Sequence, residues 1–238
     1  MESRYRRYAF LLVQLVLYLT FLSFDIRNTG VGISTGVKFA VVVLCFLYVI
    51  TSNNTKSKDY IYLCLAITFT VISDCLILYT EYYLYGVITF TAAQQLHGIR
   101  LDILREREEG NPINRSRTLA LRLLSQIVLG TVVYAMLMLA GVGNDGLLAV
   151  SILYFISLCF NVIRSIMLCF HGKSRDIRLF AWGMVLFLLC DINVGIFNLS
   201  GFINVGPVYE VLYGISSISM WLFYAPSQVL IVLSGDSN

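Results

Sequence analysis

The chain alternates long apolar runs with short polar or Gly/Pro breaks. A helix crossing the roughly 30 Å hydrocarbon core of a bilayer needs about 20 mostly apolar residues. Eight stretches meet that requirement, near residues 8–24, 31–52, 59–80, 83–104, 118–140, 147–170, 176–199 and 210–233. The breaks fall at Asp25–Gly30, Thr51–Lys58, Glu81, Arg105–Arg117, Gly141–Gly146, His171–Arg175 and Ser200–Tyr209. Membrane β-strands would be about 10 residues long with strict alternation, and these runs are too long and continuous for that. The pattern predicts an all-α fold: one polytopic membrane helix bundle of eight transmembrane helices spanning residues 1–238. The third and fourth spans lie closest together, with the turn at Glu81 between them, which predicts a tight helical hairpin there.

Basic residues give the predicted bundle a direction. Arg4, Arg6 and Arg7 precede the first span, Lys56 and Lys58 follow the second, Arg105, Arg107, Arg115 and Arg117 follow the fourth, and Lys173, Arg175 and Arg178 follow the sixth. The opposite loops hold Arg27 alone, while Lys38, Arg100, Arg122 and Arg164 fall within or at the ends of spans. The positive-inside bias therefore places both the N and the C terminus in the cytoplasm, which requires an even number of crossings. No small-residue cleavage site follows the first span, so it reads as a retained signal anchor. Asn53, Asn114 and Asn198 begin N-x-[ST] sequons, and the first two face the cytoplasm and read as chance matches. No segment outside the spans is long enough to fold alone, so any chemistry must lie among the helices.

Composition agrees and narrows the function. Of 238 residues, 58 % are hydrophobic and 13 % charged, with a mean hydropathy of +0.79. A soluble domain carries about 25 % charge. That excludes a soluble enzyme, a disordered regulator and a disulfide-stapled secreted domain. A net charge of +3 with no basic stripe gives no footing for nucleic acid. The six cysteines lie in apolar runs without a CxxC pair, and the histidines are His97 and His171. Neither a disulfide framework nor a metal site is expected, and no cofactor is required. The bacterial cell membrane is the expected location, with an endomembrane as the alternative.

Ionisable groups at mid-membrane are costly and usually face the bundle interior. Two acids lie deep in spans, Asp74 in the third and Asp191 in the seventh, each 15 residues in from the cytoplasmic start of its run. At 1.5 Å per residue both sit about 22 Å from the inner boundary. Their surroundings are alike: Phe69-Thr-Val-Ile-Ser-Asp74-Cys-Leu-Ile-Leu and Phe187-Leu-Leu-Cys-Asp191-Ile-Asn-Val-Gly share an aromatic, a small residue before the acid and an apolar exit. Two carboxyls close together in low dielectric favour one proton shared between them, the state general acid/base chemistry uses. The structural alternative is that each acid is protonated and bonds a neighbouring helix. Gln94, Gln95 and His97 in the fourth span, and Tyr224 and Gln228 in the eighth, lie nearer the cytoplasm. They read as the polar wall of a chamber extending inward, less as direct partners of the acids. Pro226 is expected to free backbone carbonyls toward that chamber. Lys38 and Arg164 can snorkel, and lipid phosphate is the expected partner of Arg164. The tyrosines and tryptophans read mostly as interfacial belt or core packing, and Glu106, Glu108 and Glu109 as a solvated loop.

At four places the chain resembles the lysoplasmalogenase-like (YhhN-type) family of eight-span membrane proteins. These are Ser73-Asp74-Cys-Leu-Ile-Leu, Gly86-x-x-x-Phe90 running to Gln95-Leu-His97, Gly183-x-x-x-Phe187-x-x-Cys190-Asp191, and Tyr224-Ala-Pro-Ser-Gln228-Val-Leu-Ile. Cys190 stands where the family usually has Ser, and Phe39 follows Lys38 where Lys-Pro is common. Asn161 and Arg164 make the sixth span more polar than expected, which marks a divergent member. The resemblance implies hydrolysis of the vinyl-ether bond of a lysoplasmalogen-type lysophospholipid, giving a fatty aldehyde and a glycerophospho-head group. Asp74 and Asp191 are then the expected catalytic pair, and Lys38, Gln94, His97, Tyr224 and Gln228 the expected substrate-binding residues.

The alternative is a proton-coupled transporter or a non-catalytic lipid-binding protein, although the paired Gly/Pro-broken helices of many transporters are missing. An intramembrane aspartyl protease lacks its Gly-x-Gly-Asp pattern here, since Leu189-Cys190 precede Asp191. A retinal photosensor lacks its late-helix lysine.

Overall fold

A computed structural model describes residues 2–51, 57–143, 145–172, 174–202, 206 and 209–236, without the side chains of Glu2, Ser3 and His171. Asn53, Lys56 and Lys173 lie outside the described residues. The helices are α1 (Glu2–Ile26), α2 (Val31–Ile50), α3 (Lys58–Tyr79), α4 (Tyr83–Glu109), α5 (Arg115–Leu139), α6 (Gly146–His171), α7 (Arg175–Phe197) and α8 (Tyr209–Leu233). A single 3₁₀ turn, Leu199–Gly201, follows α7, and no strand occurs among the described residues.

Local chemistry sets the helix ends. Ser57, Asn114 and Asp145 accept the first free backbone N–H groups of α3, α5 and α6 from Tyr60, Arg117 and Leu147. Gly110 closes α4 in the left-handed region at φ 68°, where a side chain would be strained. α4 runs on through Glu106 and Glu109, which the sequence suggested were loop. Glu106 is partly buried and pairs with Arg115, which holds its carboxyl below the usual range. Turn-spaced acids and arginines are good helix formers, so the charge that suggested a loop is compatible with a helix end.

Seven of the eight helices are long and apolar enough to cross a membrane. α4 is the exception, because its inner half carries Gln94, Gln95, His97, Arg100 and Asp102. All of these except the half-buried Gln95 are buried against other helices. The outward face of α5 is apolar and exposed at Leu121, Leu124, Ile127, Val128, Met136 and Leu139. A water-soluble surface would not carry so continuous an apolar face, whereas a lipid-facing one does.

The packing scheme repeats. α1 packs on α2, α2 on α3, α3 on α4, and α4 on α6 and α5; α5 packs on α6, α6 on α7, α7 on α8, and α8 on α2 and α1. Advancing each label by four turns the first set into the second. The adjacency is that of two four-helix halves with a pseudo-twofold relation. The tightest pairs, α3 with α4 and α7 with α8, correspond. Glycines permit both: a Cβ on Gly86 would lie 2.5 Å from Ile77, and one on Gly183 would lie 3.0 Å from the Ser227 carbonyl. The packed centre includes Leu63, Ile67, Leu101, Ile177, Phe180, Met184 and Ile231.

Candidate functional site: two buried carboxyls in an aromatic enclosure

Asp74 and Asp191 occupy equivalent positions on α3 and α7, about 8 and 9 Å from the ends of those helices. Asp74 is buried, and its Oδ2 accepts a hydrogen bond of 2.6 Å from the Tyr224 hydroxyl. Asp191 is half-buried, and its Oδ2 is sealed from solvent with no hydrogen-bond partner. The two carboxyls lie close enough to interact electrostatically, and Tyr154 of α6 faces both. The preceding helices each carry a cysteine within electrostatic range of an acid, Cys45 of α2 for Asp74 and Cys159 of α6 for Asp191. The pseudo-symmetry of the packing thus extends into the site.

Aromatic rings wall the pair. Phe90 has its centroid 5.7 Å from Tyr154, 6.0 Å from Phe187 and 6.4 Å from Tyr224, and Phe187 lies 5.5 Å from Tyr224. Trp221 stands edge-on to Tyr224 at 5.3 Å. Lys38 holds its ammonium 2.8 Å from Asp25 and 5.2 Å above the Trp221 ring, so it stands two aromatic rings from Asp74. Faces of such rings favour positive charge, so the enclosure suits a cation developing beside the carboxyls.

The direct bond from Tyr224 to Asp74 corrects the expectation that Tyr224 sits below the acids as chamber wall. A tyrosine on a helix leans toward that helix's N-terminus, here from the level of Tyr224 up to Asp74, which counting Cα rises cannot register. Pro226 departs from expectation in a similar way. The carbonyl it leaves free, Leu222 O, accepts from the Tyr18 hydroxyl of α1 at 3.2 Å and not from a chamber.

Toward the other end of the bundle, where α3 and α7 begin and which the sequence pattern predicts to be the inner end, polar side chains tie α4 to α5 and α6. Asp102 is 2 % exposed and accepts from Arg164 and, at 3.5 Å, from Arg122. Arg164 is therefore an internal ion-pair partner, a correction to its reading as a lipid anchor. Its aliphatic stem could reach either destination, and the buried carboxylate opposite wins. Gln95 donates to Gln126 and Ser157 at 2.9 and 3.0 Å, and Asn161 donates to both the backbone and side-chain oxygens of Gln94. Gly98 makes room for this, since a Cβ there would lie 2.3 Å from Arg122 Nη1. Arg100 is wholly buried, donates twice to Ser234 at 2.9 Å and stands 3.8 Å from Asp59.

Between these regions lie His97, Gln94 and Gln228, all wholly buried. Both ring nitrogens of His97, Nε2 of Gln94 and Oε1 of Gln228 have no hydrogen-bond partner. A buried polar group without a partner costs about 1–3 kcal/mol, and Asn161 Oδ1, on the residue that bonds Gln94, is unpartnered as well.

The expected residues thus fall into groups. Tyr224 joins Asp74 and Asp191 directly, and Lys38 stands at the edge of the aromatic wall. Gln94, His97 and Gln228 form a separate polar level. Sequence reasoning missed Tyr154, Phe90, Phe187 and Trp221 as the enclosure, and Asp25 as the partner of Lys38. One signal was available: Tyr154 lies about 12 Å into α6, too deep for an interfacial belt.

Fold and site together define the class as an integral multi-pass membrane protein with a carboxyl pair enclosed between its two halves. The chain belongs to the YhhN family, the family of lysoplasmalogenase-like proteins, whose profile matches residues 33–235. That span contains both acids, Lys38 and the polar level, and begins in α2, leaving out all of α1. No curated protein and no solved structure matches the chain.

Proposed function

We propose that the protein is a membrane-embedded hydrolase that cleaves the vinyl-ether bond of lysoplasmalogen-type lysophospholipids, with Asp74 and Asp191 as its acid/base pair. The observation that carries this reading is the pair itself: the buried carboxyl of Asp74 and the half-buried Asp191, from different helices, within electrostatic reach of each other and beside a cluster of aromatic rings. Membership of the YhhN family supports the same chemistry. In this reading α4 is the eighth crossing, its polar side chains turned inward, and both termini lie in the cytoplasm of a bacterial cell.

The chemistry follows from one proton shared by two carboxyls. The protonated carboxyl transfers its proton to the β-carbon of the vinyl ether, the alkene carbon not bonded to oxygen; the π electrons form the new C–H bond, and the ether oxygen lone pair stabilises the adjacent carbon as an oxocarbenium ion. The rings of Phe90, Phe187 and Tyr224 and the new carboxylate stabilise that cation. Water adds to the cationic carbon while the second carboxylate takes its proton, giving a hemiacetal. The hemiacetal hydroxyl then loses its proton to one carboxylate as the other carboxyl protonates the departing glycerol oxygen. Aldehyde and glycerophospho-head group are released, and the pair again holds one proton. This parallels glycoside hydrolysis, where two carboxyls flank an oxocarbenium-like transition state. Lys38 binds the head-group phosphate at the outer edge, and the apolar bundle receives the chain.

The test uses purified protein in detergent or vesicles, offered a lysoplasmalogen and its saturated-ether analogue. Aldehyde release from the vinyl ether alone supports the proposal. Absence of aldehyde, with pH-dependent lipid binding or flux, supports the transporter alternative in its place.

A further inference from the structure

α4 and α8 meet at two levels. The Phe90 ring centroid stands 6.4 Å from that of Tyr224, and the Arg100 guanidinium bonds Ser234, the residue just after α8. Both contacts pair a residue of α4 with the residue 134 positions later in the chain, so the helices run parallel and in register between them. The same offset sets Gln94 opposite Gln228, at one level between the two contacts. The sequences agree: Phe90-Thr-Ala-Ala-Gln94-Gln-Leu96 and Tyr224-Ala-Pro-Ser-Gln228-Val-Leu230 share the aromatic, the small residue before glutamine and the leucine after it. α4 and α8 are also the helices exchanged by the pseudo-twofold relation. At this offset the two glutamines are corresponding residues at one level of α4 and α8, just inward of the acids.

Their free atoms are complementary. Gln94 Nε2 is an unpartnered donor, Gln228 Oε1 an unpartnered acceptor, and the two free nitrogens of His97 lie one turn inward of Gln94. Asn161 donates to Gln94 Oε1, which fixes the orientation of that amide and leaves its nitrogen turned away from Asn161. A hydroxylic molecule, which both gives and accepts hydrogen bonds, answers this set, and buried water typically makes two to four such bonds. Above the level stand Phe90 and Tyr224, with the Tyr224 hydroxyl on Asp74; below it the Arg100–Ser234 contact closes the bundle. We propose that Gln94, Gln228 and His97 form a hydroxyl-binding seat at this level whose occupant is the water consumed at Asp74 and Asp191. The second half of this statement rests on the hydrolase reading; the seat itself does not. The same hydrogen bonds would accept an alcohol group of the lipid, and kinetics separate the two sources.

Gln94→Leu and Gln228→Leu remove one side of the seat each, and Gln228→Asn keeps an amide there as the conservative control. Water as the occupant predicts that both Leu variants lose kcat by about 10²-fold, as expected when a reactant is misplaced. It also predicts KM within about twofold of the parent, with Gln228→Asn recovering part of the rate. A KM increase at unchanged kcat would assign the seat to the lipid and overturn the water role, as would unchanged kinetics. The activity-independent arm is a crystal structure of the wild-type protein at a resolution that orders water. Density bonded to both Gln94 Nε2 and Gln228 Oε1 supports the seat, and a direct amide-to-amide hydrogen bond overturns it. If the wild-type protein releases no aldehyde but that density is present, the hydrolase reading fails while the seat stands.

Discussion

The outer and inner halves of this bundle both bury ionisable side chains, and they treat them in opposite ways. In the inner half Asp102 faces two arginines, and Arg100 is held by Ser234 and Asp59. Every one of these charges meets an opposite charge or a hydrogen bond, and together they fasten α4 to α5, α6 and α8. In the outer half, among the described residues, Asp74 accepts from the Tyr224 phenol, Asp191 meets Tyr154 and Cys190 and keeps one unpartnered oxygen, and no arginine or lysine bonds either acid. Leaving one partner of a buried charge network unpaired costs several kcal/mol, so the inner arrangement is what a bundle uses to hold itself together. The outer arrangement makes sense where a proton must move. The contrast separates structural polarity from chemical polarity within one protein.

That contrast can be broken in order of size. The largest effect is expected at the acids: Asp74→Asn and Asp191→Asn should each lower aldehyde release by about 10²–10⁴-fold, with the thermal midpoint in detergent nearly unchanged. Asp102→Asn should do the reverse. It strands Arg122 and Arg164 and should cost about 3–5 kcal/mol of stability, read as a large drop in thermal midpoint or in folded yield. Tyr224→Phe removes the single hydrogen bond to Asp74 and should shift the rate by about tenfold, as expected for a hydrogen bond to a charged group, with little loss of stability. Smallest is Arg115→Ala at the partly exposed pair with Glu106 near the bundle surface, where surface ion pairs contribute about 0–1 kcal/mol. Its midpoint should barely move, and any movement should vanish at high salt.

The sequence announced the helices well because bilayer length and apolar continuity are properties of single segments. The boundaries agree within a few residues except at α1 and α4, whose charged ends continue the helix. Both acids were visible for the same reason, being conspicuous within their own runs. What escaped is relational. Arg164 carries no mark that Asp102 lies opposite, since the pairing depends on how α4 and α6 rotate against each other. Tyr224 looked too low to meet Asp74 because depth was counted along Cα atoms, whereas its ring leans about a turn up the helix. The likeness of the segments around Gln94 and Gln228 was present in the residues, but only the matched contacts at Phe90–Tyr224 and Arg100–Ser234 give it meaning.

The central claim, that Asp74 and Asp191 act on one bond as a unit, is tested most directly by aldehyde release from lysoplasmalogen in a double-mutant cycle. Groups acting together lose nearly all their contribution when either is removed. Asp74→Asn, Asp191→Asn and the double variant should therefore show similar residual rates. Full activity in either single variant, or losses that multiply in the double, would contradict the account.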